Sequence, residues 1–255
     1  MLCTMTRNTP LPETSGSTNF SEPANFEELE TKIGAANRHL ATHSAMDRVE
    51  WTIKNLPQTQ IVSSSFGIQS AVMLHLMTQH VPDIPVIFID TGYLFPETYR
   101  FVDQLTVQLN LNLKVYSSAV TSAWQEKRYG KLWEQGLSGL ERYNHLNKVE
   151  PMTKALNDNS ALTWYSGLRR EQSSSRKQFQ IAQVVDHRCK VYPLIDWNNK
   201  DVHQYLKRHN LPYHPLWDKG YESVGDWHSS LPMQAGMTVE QSRFQGLKRE
   251  CGLHG

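Results

Sequence analysis

Gln60-Ile61-Val62-Ser63-Ser64-Ser65-Phe66-Gly67-Ile68-Gln69-Ser70 opens apolar and β-branched, turns small and polar, and then passes into helical spacing at Ile68, Val72, Met73 and Leu76. A short β-prone run, a serine and glycine turn and a 3.6-residue apolar period read as strand, loop and helix. Val86-Ile87-Phe88-Ile89-Asp90 repeats the unit, ending in Asp-Thr-Gly before a helix over Pro96 to Leu109. Its apolar residues are consecutive rather than alternating, the pattern of a strand covered on both faces in a parallel sheet.

Working outward, Leu111 to Tyr116, Ala161 to Ser166 and Lys190 to Leu194 complete a set of five strands, separated by stretches long enough for helical crossovers. That order predicts an α/β fold with an open, mostly parallel twisted sheet and helices on both faces. Two helices, Phe26 to Arg38 and Ser44 to Leu56, precede the first strand. Residues 121–158 carry Trp124, Tyr129, Trp133 and Tyr143 and are interrupted by Gly130, Gly136 and Gly139, which suggests an insertion over the sheet edge. Leu211 to Gly236 reads as ordered loop and Val239 to Lys248 as a last helix. Residues 1–25 are rich in Thr, Ser, Asn and Pro and are expected to form a flexible arm. The expected organisation is that arm, one domain over 26–240, and a mobile tail over 241–255.

Composition narrows the function. Lys plus Arg total 26 against 25 for Asp plus Glu, so no global field attracts nucleic acid or a membrane surface, and an anion site has to be built locally. No apolar run has the length of a spanning helix, and the start lacks a secretory core, so a cytoplasmic location is expected. Cys3, Cys189 and Cys251 are odd in number with no CxxC spacing, which disfavours a disulfide framework or a four-cysteine metal site.

Three loops fall at strand ends, where doubly wound sheets bind ligands. Ser63, Ser64, Ser65 and Gly67 suit an oxyanion at a helix N-terminus, or the serines simply cap that helix. Asp90 could hold a ribose hydroxyl or cap its helix. Arg169 and Arg170 in Gly-Leu-Arg-Arg-Glu-Gln-Ser suit bidentate binding of phosphate, or pair with neighbouring acids. Cys251 lies among Lys248, Arg249 and His254, which could stabilise a thiolate, or it is an inert exposed thiol. His214 and His228 match no metal-ligand spacing and read as loop-ordering hydrogen-bond donors or phosphate contacts.

Taken together, SSSFGIQ at 63, IDTGYLFPETYRF at 89, KVEP at 148, GLRREQS at 167, YHPLW at 213 and KRECGLH at 248 resemble the phosphoadenylylsulfate (PAPS) reductases. These belong to the adenine-nucleotide-binding proteins with a modified pyrophosphate loop. The resemblance runs from Trp51 to the end of the chain. It implies that Ser63, Ser64, Ser65, Gly67 and Gln69 hold the nucleotide's phosphates, that Asp90 and Gly92 lie against adenosine, and that Arg169 and Arg170 bind the phosphosulfate or the 3′-phosphate. Cys251 would take the sulfonate from PAPS and surrender it to a thioredoxin or glutaredoxin thiol, with Lys131, Arg243, Lys248 and Arg249 as the cations available to the reaction. No bound cofactor is implied, and a homodimer is.

Adenylylsulfate reductases, close relatives, carry Cys-Cys before KVEP and Cys-x-x-Cys near the Gly-Asp segment to hold an iron–sulfur cluster. The corresponding positions here hold Tyr143, Asn144, Asp226 and Ser229, so the pattern favours PAPS. One departure stands out: the loop Asp226 to Pro232 lacks the arginine expected after its hydroxyl pair. Two other readings stay open: an ATP-cleaving pyrophosphatase or adenylyltransferase, whose Ser-Gly-Gly-x-Asp-Ser loop this chain lacks, and a nucleotide sensor in which Cys251 is incidental.

Overall fold

The computed structural model describes residues 26–238 and 241–243. The arm expected over 1–25 and Cys3, Lys248, Arg249 and Cys251 lie outside the described residues; of the last helix expected over 239–248, residues 241–243 are described and are not helical but form a turn and an antiparallel bridge to Ser230. No described helix is long and apolar enough to cross a membrane.

Six strands form one sheet: β1 (Gln60–Ser63), β2 (Pro85–Asp90), β3 (Asn112–Ser117), β4 (Thr163–Ser166), β5 (Ala182–Val185) and β6 (Arg188–Val191), in the order β3-β2-β1-β4-β6-β5. All neighbours pair in parallel except β5 with β6. The chain winds from β1 outward through α3 (Ala71–His80), β2 and α4 (Pro96–Leu109) to β3, then returns to lay β4 on the other side of β1. The order therefore reverses between β1 and β4, the switch point at which open α/β sheets bind ligands.

Side-chain alternation explains the two covered faces. Val62, Val86, Phe88 and Tyr165 point to one side, where they pack with α2 (Ala45–Asn55), α3, α4 and α8 (Asn199–Arg208). Their neighbours Ile61, Ile87 and Trp164 point to the other, against Met152, Ala155 and Leu156 of α7 (Glu150–Asp158). Consecutive apolar residues are what a strand between two helical layers requires. α1 (Phe26–Leu40) covers the β5 edge, where the Asn37 amide donates to Ala182 O at 2.7 Å and accepts from Ala182 N at 2.9 Å. That side chain closes one sheet edge as another strand would.

Two other expectations need correcting. A sixth strand, β5, turns into β6 through Asp186 and His187, both left-handed at φ 48° and 61°, and the last strand covers 188–191 rather than 190–194. Residues 121–158 do not sit over the sheet edge alone. α5 (Ser122–Tyr129) and α6 (Gly136–Asn144) build a small cluster of Tyr93, Leu132, Leu140 and Tyr143, while α7 covers a face of β1, β2 and β4. Gly139 does not break its helix. A side chain there would lie less than 3.0 Å from Leu132 O, so glycine lets α6 pack on the preceding turn.

Candidate active site

At the switch point, the end of β1 turns through a residue of unusual conformation. Phe66 is left-handed at φ 48° and fully buried, its ring edge-on to Phe88 at 5.2 Å. Ser64 Oγ accepts from Phe66 N at 3.1 Å, and Ser63 Oγ accepts from Trp164 Nε1 at 2.6 Å, tying the loop to β4. Ser65 is exposed. The capping reading of these serines does not describe what they do: Ser70, at the start of α3, makes no side-chain cap bond. The backbone N–H groups of Ser65, Gly67 and Ile68 find no acceptor among the described residues. Gly67 has an ordinary backbone and only ordinary contacts around it, so close approach of a ligand, rather than the turn, is what would call for glycine there.

The β4 loop packs tightly beside this turn. A Cβ on Gly167 would meet Met73 of α3 at 3.0 Å. Arg169 is 4% exposed, and its guanidinium donates to Gln69 Oε1, to Asn199 Oδ1 at 3.0 Å, to Trp197 O at 3.3 Å and to Glu171 Oε2 at 3.3 Å. Three of these four acceptors are neutral, and the Glu171 side chain is 47% exposed. Burial pushes Arg169 down from its ordinary value, against the pull of Glu171, but arginine remains charged. Arg170 turns elsewhere: its Nε and Nη2 donate to Phe179 O at 3.0 and 2.7 Å, bracing the segment that follows.

At the end of β2, Asp90 Oδ1 accepts from Gly92 N and from Tyr99 OH, both at 2.8 Å. Gly92 is left-handed at φ 74°, the conformation that makes this tight Asx turn possible. Asp90 thus shapes its own loop. Burial first, then the Asp90 contact, raises the Tyr99 phenol.

The third element comes from far along the chain. Asp226 is 1% exposed, pairs with Lys148 Nζ at 2.7 Å and accepts from Thr91 Oγ1. Its backbone bridges Leu94, and Trp227 N donates to Tyr93 O at 2.9 Å. Lys148 reaches this position from a π-helical turn over His145–Val149 between α6 and α7, which buries both it and Asn147. The amides of Asn147 and Gln125 pair reciprocally at 2.8 and 3.0 Å, fixing that turn on α5. Burial alone would raise the Asp226 carboxyl, but Lys148 and Thr91 hold it below its ordinary value.

Three of the four positions matched to a relative's cluster cysteines meet at this ion pair: Asp226 is half of it, Lys148 Nζ lies 5.3 Å from the Tyr143 ring, and Ser229 Oγ donates to Asp226 O at 3.2 Å, while His228 packs edge-on to Tyr143 at 5.0 Å. The His228 ring stacks on Trp133 at 4.0 Å, and burial pushes its pKa down to about 4. It is held by ring contacts rather than as the loop-ordering donor expected. His214 does order its loop: Nδ1 accepts from Leu216 N at 3.1 Å and Nε2 faces Thr98 Oγ1 at 3.0 Å. Among the described residues no group of three or more His, Cys, Asp or Glu is placed to hold a metal ion.

Of the expected site residues, the fold gathers Ser63, Ser64, Ser65, Gly67, Gln69 and Arg169 at the β1/β4 ends and Asp90 and Gly92 at the β2 end. Lys131 is exposed and pairs with Glu134 at 3.6 Å. Arg243 donates from Nη1 to Ser230 Oγ at 2.9 Å, beside the hydroxyl pair where a neighbouring arginine was expected. Sequence reasoning missed Asp226, Thr91 and Asn199. Cys189, on β6, is fully buried, and burial pushes its thiol up to about 12, so it is no nucleophile.

The family model of the phosphoadenosine phosphosulfate reductase domain matches residues 59–232. The chain is 59% identical over 235 residues to the phosphoadenosine 5′-phosphosulfate reductase of Shewanella oneidensis, covering 92% of this chain and 95% of that protein. To the protein of the same name from Vibrio cholerae it is 60% identical over 223 residues, with 88% of each covered. Its structure is similar to the crystal structure of phosphoadenylyl-sulfate reductase from Candida auris in a phosphate complex, with a TM-score of 0.69 and 28% identity over 85% of this chain and all of that one. FMN adenylyltransferase of Candida glabrata, at 15% identity and a TM-score of 0.57 over 85% of this chain and 73% of its own, shares the fold alone. The chain belongs to the phosphoadenosine phosphosulfate reductase family.

Proposed function

We propose that this protein reduces 3′-phosphoadenylylsulfate to sulfite and adenosine 3′,5′-bisphosphate in sulfate assimilation, with Cys251 as nucleophile and thioredoxin or glutaredoxin as reductant. What supports the reading most is the identity of about three residues in five to relatives of that name, along nearly their whole length. The homodimer implied by the family resemblance belongs to the same proposal.

The chemistry follows from the groups at the strand ends. The free N–H groups of Ser65, Gly67 and Ile68 and the dipole of α3 favour an anionic phosphate there. Arg169, surrounded mainly by neutral acceptors, keeps charge for the substrate's phosphates. The Cys251 thiolate attacks the sulfate sulfur; an S–S bond forms and the S–O bond to the 5′-phosphate breaks. The electron pair leaves on the phosphate oxygen, where nearby cations stabilise it. A thioredoxin thiolate then attacks Cys251 Sγ, expelling sulfite, and the second thioredoxin thiol resolves the mixed disulfide. The two electrons come from that dithiol, which ends as a disulfide.

Mass spectrometry after mixing the reduced protein with PAPS tests this. A single SO₃ adduct on Cys251 is expected, absent in Cys251→Ser, which still binds adenosine 3′,5′-bisphosphate. Sulfite release by Cys251→Ser at the normal rate would overturn it.

A further inference from the structure

Gly225 and Arg243 meet in a way that neither local sequence explains. A methyl group at residue 225 would lie less than 3.0 Å from Nη1, Nη2 and Cζ of Arg243, closer than real side-chain carbons come. The Arg243 guanidinium therefore packs against the bare Gly225 Cα. Gly225 is not left-handed, so backbone strain does not account for the glycine; the space taken by the guanidinium does. Around this contact, Ser230 is 2% exposed and joins three partners: Arg243 Nη1 at 2.9 Å and Gly225 N at 3.0 Å donate to its Oγ, which donates to Asp226 O at 3.0 Å. Ser242 is fully buried, Leu231 N donates to Ser242 O at 3.0 Å, and Ser230 and Arg243 form an antiparallel bridge. Through Asp226 the contact is continuous with Lys148 and Thr91.

We infer that Gly225, Ser230 and Arg243 form a clasp that fixes the point from which the Cys251 segment departs, making Arg243 a positioning residue for sulfonate transfer. The inference rests on the function proposed above. Arg243 precedes Cys251 by eight residues. At full extension that length spans roughly 28 Å, so the clasp bounds where the thiol can reach. A fixed origin shortens the search of a tethered nucleophile, and misplacement by about 1 Å can cost of the order of 100-fold in rate.

The test uses Gly225→Ala in the full-length protein. Because the atoms in the way are the far end of a flexible side chain, the variant is expected to fold and to displace the guanidinium alone. In single turnovers at saturating PAPS, S-sulfonation of Cys251 should slow about 10- to 100-fold in Gly225→Ala and in Arg243→Ala, with no greater loss in the double variant. Affinity for adenosine 3′,5′-bisphosphate should stay within about twofold of the parent, and Arg243→Lys, lacking the planar fork, should not restore the rate. A normal rate in Gly225→Ala, or an affinity loss matching the rate loss, overturns the inference. Hydrogen exchange at the Leu231 amide reads the clasp independently of chemistry: slow in the parent and at least about tenfold faster in Gly225→Ala. Equal exchange in the two overturns the clasp even if no adduct ever forms, whereas a parent that forms no adduct overturns the proposed function instead.

Discussion

Two buried cations stand at the carboxyl end of the sheet, and their surroundings differ. Lys148 faces the fully buried carboxylate of Asp226, reinforced by Thr91. Arg169 faces the side-chain carbonyls of Gln69 and Asn199 and the backbone carbonyl of Trp197, with one carboxylate that is half in solvent. A buried charge matched by a buried countercharge is neutralised within the protein, while one held by neutral dipoles still presents a field to a ligand. Lys148 thus pins the β2 loop, the π-helical turn and the Asp226 loop together, and Arg169 is the better placed of the two to attract phosphate.

Breaking the pinned pair should have the largest effect. Asp226→Ala leaves Lys148 buried without its carboxylate and is expected to lower the unfolding free energy by about 3–5 kcal/mol, read from urea denaturation. A loss under about 1 kcal/mol would mean the pair is not the pin described here. Replacing both partners by apolar residues should cost less than Asp226→Ala alone. The pH dependence has a fixed sign. Because the folded pKa of Asp226 is depressed, its stabilisation is present above the ordinary carboxylate value of about 4 and is lost as the pH falls through the folded value.

A smaller effect, and on binding rather than folding, is expected at the other cation. Arg169→Gln should weaken binding of adenosine 3′,5′-bisphosphate about 10- to 100-fold by calorimetry, equivalent to roughly 1.4–2.7 kcal/mol. Unchanged affinity would erase the distinction between the two sites. The smallest effect belongs to Lys131, whose pairing with Glu134 is solvent-exposed: Lys131→Ala should alter stability by less than about 0.5 kcal/mol in the same urea titration.

How much of this was legible follows from how local each feature is. β2 and α4 could be read from a continuous apolar run and from Pro96 opening a helical period, and both lie where expected. β5 escaped because its hairpin turns through Asp186 and His187, which take left-handed conformations without the glycine that usually marks such turns. The expected strand ran on to Leu194 because Tyr192 and Leu194 are apolar, yet after Val191 the chain turns, with Tyr192 buried against Leu40 and Leu168 and Leu194 in the main core. At the site, loops at strand ends were visible because strand ends are. The bond between Thr91 and Asp226 joins residues 135 positions apart, and no periodicity encodes such a pair. Lys148 stood inside a quoted motif, but its inward direction depends on a π-helical turn that the sequence pattern does not reveal.

Phe66 carries a consequence for the energetics of binding. A left-handed aromatic residue costs about 1–3 kcal/mol of backbone strain, and full burial of its ring against Phe88 offsets that by a similar amount. The loop's shape is therefore decided when the chain folds. An anion arriving at Ser65 to Ile68 meets amides already oriented, so little ordering entropy remains to oppose its capture, and calorimetry should find the association nearly free of the unfavourable entropy that a slack glycine loop imposes.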